Sequence, residues 1–76
     1  AAEKFDEFDF KIYTDDIYRN LKQVEKILAK DDIIIKRIKV ESDYIRVKGK
    51  ILERLNKNRL ITGIMKIEGI KEIVEE

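Results

Sequence analysis

The clearest pattern along the chain is a helical stripe between residues 16 and 28. Apolar side chains recur there at steps of three and four residues, at Ile17, Leu21, Val24 and Leu28. This spacing places them on one side of an α-helix, while mostly polar residues fall on the other sides. The pattern therefore predicts an amphipathic helix that packs on a core through this stripe.

The next two segments change to an alternation of period two, which is typical of half-buried β-strands. In the first segment, Ile34, Ile38 and Val40 are expected on the core face, and Lys36 breaks the alternation. In the second, apolar residues and a glycine alternate with basic residues and a tyrosine: Ile45, Val47, Gly49 and Ile51 against Tyr44, Arg46, Lys48 and Lys50. The short polar link "ESD" between them predicts an antiparallel hairpin.

A second helical pattern precedes a final strand. Its apolar face is wide and consists of Leu60, Ile61, Ile64, Met65 and Ile67. Gly69 is expected to end this helix because glycine adopts a left-handed conformation without steric cost. Gly63 lies inside the helix, where it costs about 1 kcal/mol relative to alanine, so we expect a close approach to the sheet or to the first helix. The last segment, "IKEIVEE", reads as a short strand.

The amino-terminal segment leaves two folds open. Phe8, Phe10 and Ile12 alternate with Asp9 and Lys11, which suits either an arm over apolar surface or an additional strand. As an arm, residues 1–13 would precede an αββαβ domain over residues 14–76, with two helices on one face of a three-stranded mixed sheet. As a strand, they would complete a ferredoxin-like βαββαβ fold. Both are α+β folds, and the expected core is Leu21, Val24, Leu28, Ile38, Val40, Val47, Ile64 and Ile67.

Composition excludes several kinds of chemistry. A chain of 76 residues suits one small domain, and it has no cysteine and no histidine, so thiolate and imidazole sites are excluded. Carboxylates occur as pairs only at predicted helix edges or at the chain end, where capping and solvation explain them. Glycines are too far apart to form a phosphate-binding loop. We therefore expect no catalytic residue, metal, cofactor or small-molecule substrate.

Charge is balanced overall but not locally. The chain has 17 basic and 16 acidic residues, yet residues 36–59 hold nine basic and three acidic ones. The strand alternation predicts one open sheet surface, here called the basic face, formed by Arg37, Lys39, Arg46, Lys48 and Lys50, with Tyr44 at its edge. Anionic phospholipid or an acidic subunit surface would fit it. Nucleic acid fits less well because only Tyr44 offers a stacking surface, and a merely solvated, aggregation-resistant face is the plainest alternative.

The order of elements from Asp16 to Val74 resembles the BON domain, the bacterial OsmY-and-nodulation module. The similar segments are the helix "DDIYRNLKQVEKIL", the strand "IRVKGKI" with Gly49 at the family's glycine, and the close "IEGIKEIV" with Gly69 and Ile70 at its G-V position. The stretch from Asp16 to Val74 covers about four fifths of the chain.

This resemblance implies a non-catalytic binding or assembly module of a bacterial envelope, periplasmic or secretion-associated protein. Its partners would be a phospholipid surface or neighbouring subunits, so oligomers are possible. Gly49 would let its strand bend or pass close to a helix, and Gly69 would turn the second helix into the last strand. The ferredoxin-like alternative implies instead a regulatory or RNA-binding module, for which a cytoplasmic location is expected.

Overall fold

The computed structural model describes residues 2–76, which form one four-stranded sheet and two α-helices. In chain order the elements are β1 (Phe5–Thr14), α1 (Ile17–Leu28), β2 (Ile33–Val40), β3 (Tyr44–Leu52), a 3-10 turn (Glu53–Leu55), α2 (Lys57–Met65) and β4 (Ile70–Glu75). The strand order is β2-β3-β1-β4, and every neighbouring pair is antiparallel. Both helices pack on one face of the sheet, so the fold is α+β with the βαββαβ arrangement of ferredoxin-like domains.

The amino-terminal segment is an interior strand of the sheet. Residues 5–13 of β1 pair with β3, and residues 10–14 pair with β4 on the other side. The sheet is therefore four-stranded and wholly antiparallel, not three-stranded and mixed. Phe8, Phe10 and Ile12 point under the helices and are buried, and the rings of Phe8 and Phe10 stack with centroids 4.9 Å apart.

The core lies between this sheet and the helices. Four of the residues expected there are buried, namely Val24, Leu28, Val47 and Ile64, and Leu21 and Ile67 pack against them from partly buried positions. Ile38 and Val40 were wrongly assigned to the core, since 37% and 43% of their surfaces are exposed. They do lie on the helix side, but β2 is an edge strand, and its second half stays exposed there.

A β-bulge interrupts β2 at Lys36. Ile35 pairs with Gly49 and Arg37 pairs with Lys48, so Lys36 has no partner in β3. An extra residue of this kind changes which face the following residues occupy. The break in alternation at Lys36 was the sequence signal of this bulge.

The bulge corrects the expected position of Ile34. Ile34 pairs with Lys50 and lies on the open face of the sheet, where 44% of its surface is exposed. Ile35, not Ile34, shares the helix side with Ile38, because the extra residue separates them by three positions instead of two.

The three glycines occupy different environments. A Cβ on Gly49 would overlap the carbonyl oxygen of Ile34 in β2 and lie 2.9 Å from the Phe8 ring, so the close approach is to β2 and Phe8, not to a helix. Apart from its chain neighbours and the backbone of its own helix, a Cβ on Gly63 would have no atom within 4 Å, and the expected close approach at this residue was wrong. Gly69 has a φ of +102° and lies in the turn that leads into β4. It does not end α2 as expected, because that helix already ends at Met65, before Ile67.

A buried polar cluster fixes the turn at Gly69. The Asn20 side chain in α1 is fully buried and accepts a hydrogen bond from the hydroxyl of Thr14. Its amide nitrogen donates to the carbonyl oxygen of Glu68 at 2.9 Å and to Gln23 at 2.8 Å. Asn20 therefore ties the end of β1 and the turn before β4 to the first helix.

Candidate functional site

The open face of the sheet carries the predicted binding residues. Across β2 and β3, Arg37 pairs with Lys48 and Lys39 pairs with Arg46. Paired residues of an antiparallel sheet project from the same face. Since Val47, which lies between Arg46 and Lys48, is fully buried on the helix side, these four cations project away from the helices.

Four cations surround one shallow depression on this face. Its volume is about 130 Å³, and its lining consists of Arg37, Lys39, Arg46 and Lys48. Like charges at such spacing repel one another, so an anion placed between them relieves the repulsion. The depression is the point of the basic face best suited to a phosphate or carboxylate group.

Arg46 is the most rigidly held of the four cations. It donates two hydrogen bonds to the carboxylate of Asp9 in β1, from Nε at 3.0 Å and from Nη2 at 2.8 Å. This hydrogen bonding holds the pKa of Asp9 below its usual range. The Lys48 ammonium lies 4.0 Å from the same carboxylate, so Asp9 neutralises part of the charge on β3.

The other cations of the basic face differ in their partners. Lys39 forms an ion pair with Glu41 at 3.1 Å. Within residues 2–76, neither Arg37 nor Lys50 has a carboxylate within 4.0 Å, although the Lys50 ammonium lies 5.0 Å from the centre of the Phe5 ring. Arg37 is thus the cation of the depression with the least competition for an external anion.

Two tyrosines lie together at one end of the open face. Tyr44 of β3 pairs with Tyr13 of β1, and their ring centroids are 5.3 Å apart. The ammonium of Lys11 lies 5.3 Å from the centre of the Tyr44 ring. Both tyrosines are only partly buried, so they offer a small aromatic surface beside the cations.

Negative charge lies on the other half of the open face. Glu7 and Asp9 project from β1, and Glu72 projects from β4 as the partner of Tyr13. A larger hollow of about 350 Å³ lies where the two halves meet, but the acidic side chains of Glu7, Asp9 and Glu76 line it beside two lysines. These carboxylates would repel an anion, so we take the smaller depression as the candidate site.

Sequence reasoning missed the contribution of β1 to this surface. The six predicted residues, Arg37, Lys39, Tyr44, Arg46, Lys48 and Lys50, all lie on the open face, with Tyr44 and Lys50 outside the depression. Tyr13, Lys11 and Asp9 were not assigned to the face, although their alternation with Phe10 and Ile12 would have placed them there once residues 5–13 were read as a strand.

Within residues 2–76 no group of three or more acidic, histidine or cysteine side chains is arranged to hold a metal ion. None of the described helices has the length and apolar character needed to cross a membrane. Models of known protein families do not match the chain, and no curated protein matches it either. The resemblance to BON domains stays a prediction based on the segments quoted above.

Proposed function

We propose that this domain is a non-catalytic module that binds an anionic phospholipid surface through its basic face. The observation that carries the proposal is the convergence of Arg37, Lys39, Arg46 and Lys48 on one depression of a sheet face that no helix covers. Each lysine or arginine close to an anionic membrane contributes about 1 kcal/mol, and salt weakens the attraction.

The shape and the composition of the open face support a membrane partner. An uncovered sheet presents its side chains across a broad surface, so several cations reach lipid phosphates together. Tyr13 and Tyr44 lie beside the cations, and tyrosine is favoured at the boundary between lipid headgroups and acyl chains. The bond between Arg46 and Asp9 keeps one guanidinium oriented before any ligand arrives.

The resemblance to BON domains supports a proposal about the protein that contains this domain. We infer from it that the domain belongs to a bacterial envelope, periplasmic or secretion-associated protein. Neighbouring protein subunits with acidic surfaces are the other partners that this resemblance implies, since the same cations would bind their carboxylates.

A single-stranded RNA is the second candidate ligand, and one observation favours it. The pair of Tyr13 and Tyr44 occupies the two central strands of the open face, next to Lys11 and Arg46. Bases stack on aromatic rings of this kind while cations contact the phosphates. A cytoplasmic regulatory or RNA-binding role would follow from this alternative.

Cosedimentation with lipid vesicles tests the first candidate. We compare vesicles of phosphatidylcholine alone with vesicles that also contain phosphatidylglycerol. The test variant is Arg37→Gln/Lys39→Gln/Lys48→Gln, which spares Arg46 and its bond to Asp9. Removal of three cations is expected to weaken binding to the anionic vesicles by about two orders of magnitude, at about 1 kcal/mol each.

The matched control removes three exposed lysines on the helix side, as Lys22→Gln/Lys26→Gln/Lys30→Gln. Both variants lose the same net charge, so a difference between them reports the location of the contact. We expect the control to bind nearly as the wild type does. Equal losses in both variants, or equal binding of the wild type to neutral vesicles, would contradict the proposal.

The RNA candidate is tested with a fluorescently labelled uridine oligonucleotide and fluorescence polarisation. Tyr13→Ala/Tyr44→Ala would weaken this binding if the bases stack on the two rings, while leaving the vesicle assay much less affected. Binding of the oligonucleotide without binding of anionic vesicles would replace the first candidate by the second.

A further inference from the structure

Both edges of the sheet are open to further pairing. The strand order leaves β2 at one edge and β4 at the other. Glu41 donates its backbone N–H to the carbonyl of Tyr44 at 2.9 Å. Because hydrogen-bonded and non-bonded pairs alternate along antiparallel strands, the backbone groups of Arg37 and Lys39 face β3, and those of Ile38 and Val40 face outwards.

The same reasoning applies to β4. Glu76 donates its backbone N–H to the carbonyl of Asp9 at 2.8 Å, so the alternation directs the backbone of Val74 towards β1. The backbone groups of Ile73 and Glu75 then face outwards. Each edge therefore offers backbone donors and acceptors that no strand within residues 2–76 takes up.

The two edges carry opposite charge. The exposed charged side chains of β2 are all basic, at Lys36, Arg37 and Lys39. Those of β4 are acidic at Glu72 and Glu75, with Glu76 directly after the strand, and the one cation is Lys71. Ion pairs within the molecule already join Lys36 to Glu7, Lys39 to Glu41, Lys71 to Asp15, Glu75 to Lys57 and Glu76 to Lys11. Among residues 2–76, Arg37 of β2 and Glu72 of β4 are the edge charges without such a partner. Pairing of two β2 edges, or of two β4 edges, would bring like charges together. Pairing of β2 with β4 brings opposite charges together.

We propose that copies of this chain associate head to tail, with β4 of one copy pairing with β2 of the next to continue the antiparallel sheet. Neighbouring strands alternate in direction along the order β2-β3-β1-β4, so the two edge strands run in opposite directions. Copies placed side by side in the same orientation therefore meet through antiparallel strands, with all helices on one side. The inference goes beyond membrane binding and does not depend on it.

In one register of β4 against β2, apolar side chains meet on the same face, outward backbone groups meet each other, and opposite charges lie side by side. With Ile73 opposite Ile38 of the next copy, two outward-facing backbone segments meet, and both side chains lie on the helix side. The next pair is Glu72 with Lys39 on the open face. Ile38 is 37% exposed in the single molecule, and this pairing covers it with another isoleucine.

The contact is short, because bulges bound it on both strands. Lys36 interrupts β2, and Lys71 interrupts β4, where the register with β1 shifts. In the register that places Ile73 opposite Ile38, pairing is then confined to three pairs, which join residues 37–39 of β2 to residues 72–74 of β4. So small an interface gives weak, reversible association, which a covalent trap detects better than a measurement of molecular mass at equilibrium.

Disulfide trapping tests the register directly, and the chain has no cysteine of its own. We prepare Ile38→Cys and Ile73→Cys as separate variants, confirm their folds by circular dichroism, and oxidise them alone and mixed. In a hydrogen-bonded antiparallel pair the Cα atoms lie about 5.5 Å apart, within the range that a disulfide spans. The mixture is expected to give a mixed dimer in several-fold excess over the dimers of each variant alone.

Two further samples test whether random collision alone would produce the mixed disulfide dimer. A mixture of Tyr18→Cys and Met65→Cys, both exposed on the helices, measures the background yield. If Ile73→Cys does not fold, Lys39→Cys and Glu72→Cys, both at exposed positions, provide the second pair of the same register. A yield no higher than the background, or efficient dimers of Ile38→Cys alone, would overturn the proposal.

Exchange of charges tests the recognition between the edges. Glu72→Lys in the Ile73→Cys chain should lower the yield of mixed dimer several-fold, and Lys39→Glu in the Ile38→Cys chain should restore it. The samples contain no lipid, so failure here leaves the membrane proposal untouched. Failure of the charge exchange to restore the yield would contradict the assigned pair of Glu72 and Lys39.

Discussion

Alanine at Gly49 should destabilise the domain, although alanine is usually the better residue in a strand. A Cβ at this position would overlap the carbonyl oxygen of Ile34 and lie 2.9 Å from the tip of the Phe8 ring. The carbonyl belongs to the backbone of β2 and cannot move without disturbing its pairing with β3. The Phe8 ring is buried and stacked on Phe10, so it cannot turn away freely.

The magnitude follows from two opposing effects. Overpacking of a well-packed site costs about 1–3 kcal/mol. Replacing glycine by alanine in a strand recovers about 0.5–1 kcal/mol, because the unfolded chain loses freedom. The net loss for Gly49→Ala is therefore about 1–2 kcal/mol, which lowers the melting temperature of a domain of this size by roughly 5–15 °C.

Thermal and urea unfolding followed by circular dichroism provide the measurement, and Gly63→Ala provides the control. Gly63 lies in a helix, and apart from that helix's own backbone and the neighbouring residues no atom lies within 4 Å of its Cβ position, so the same substitution should stabilise the domain there by about 1 kcal/mol. Equal effects of the two substitutions, or a Gly49→Ala variant as stable as the wild type, would refute the packing described at Gly49.

Three other predictions concern the turn at Gly69 and the ion pair of the open face. Gly69→Ala should cost about 2 kcal/mol or more in urea unfolding, since φ is +102° and the new Cβ would lie 2.6 Å from Asn20 Oδ1. Asn20→Leu should lower the free energy of unfolding by about 1–3 kcal/mol, because it leaves buried hydrogen-bond partners unsatisfied. An unchanged midpoint of urea unfolding in either variant would contradict the prediction for that variant. Because the pKa of Asp9 is lowered in the folded protein, its bond to Arg46 stabilises the fold above about pH 4, where the carboxylate is charged in the unfolded chain as well. This contribution is lost as the pH falls through the pKa that Asp9 has in the folded protein. Wild type should therefore exceed Asp9→Asn in stability at pH 7, and the difference should shrink below pH 4; a constant difference would contradict this reasoning.

The first helix and the hairpin were predictable because their patterns are local. Ile17 to Leu28 repeat at helical steps, and Tyr44 to Ile51 alternate strictly, so no distant residue is needed to interpret either segment. The amino-terminal segment was undecided for the opposite reason. Its alternation suits an arm as well as a strand, and only pairing with β3 and β4, far away in the chain, distinguishes them.

The burial of β2 also depended on distant elements. The alternation correctly placed Ile38 and Val40 on the helix side, but whether a helix covers them depends on where α1 and α2 lie above the sheet. The bulge was visible as the misfit at Lys36, yet the face of Ile34 follows only from its pairing with Lys50.

The candidate site likewise contains residues that local sequence predicts and residues that depend on distant pairing. Arg37, Lys39, Arg46 and Lys48 were predictable as neighbours because a hairpin brings them together through its own register. The carboxylate of Asp9, which binds Arg46, comes from a strand whose position in the sheet was open. Sequence therefore indicated the cations of the face but not the charge beside them.

Nuclear magnetic resonance of the 15N-labelled protein tests the central claim, that the open face binds an anionic membrane, most directly. Bicelles that contain phosphatidylglycerol should shift or broaden the backbone amide signals of β2 and β3, centred on Arg37, Lys39, Arg46 and Lys48. Neutral bicelles should leave these signals unchanged. Changes confined to the outer surfaces of α1 and α2, or identical changes with neutral and anionic bicelles, would contradict the account.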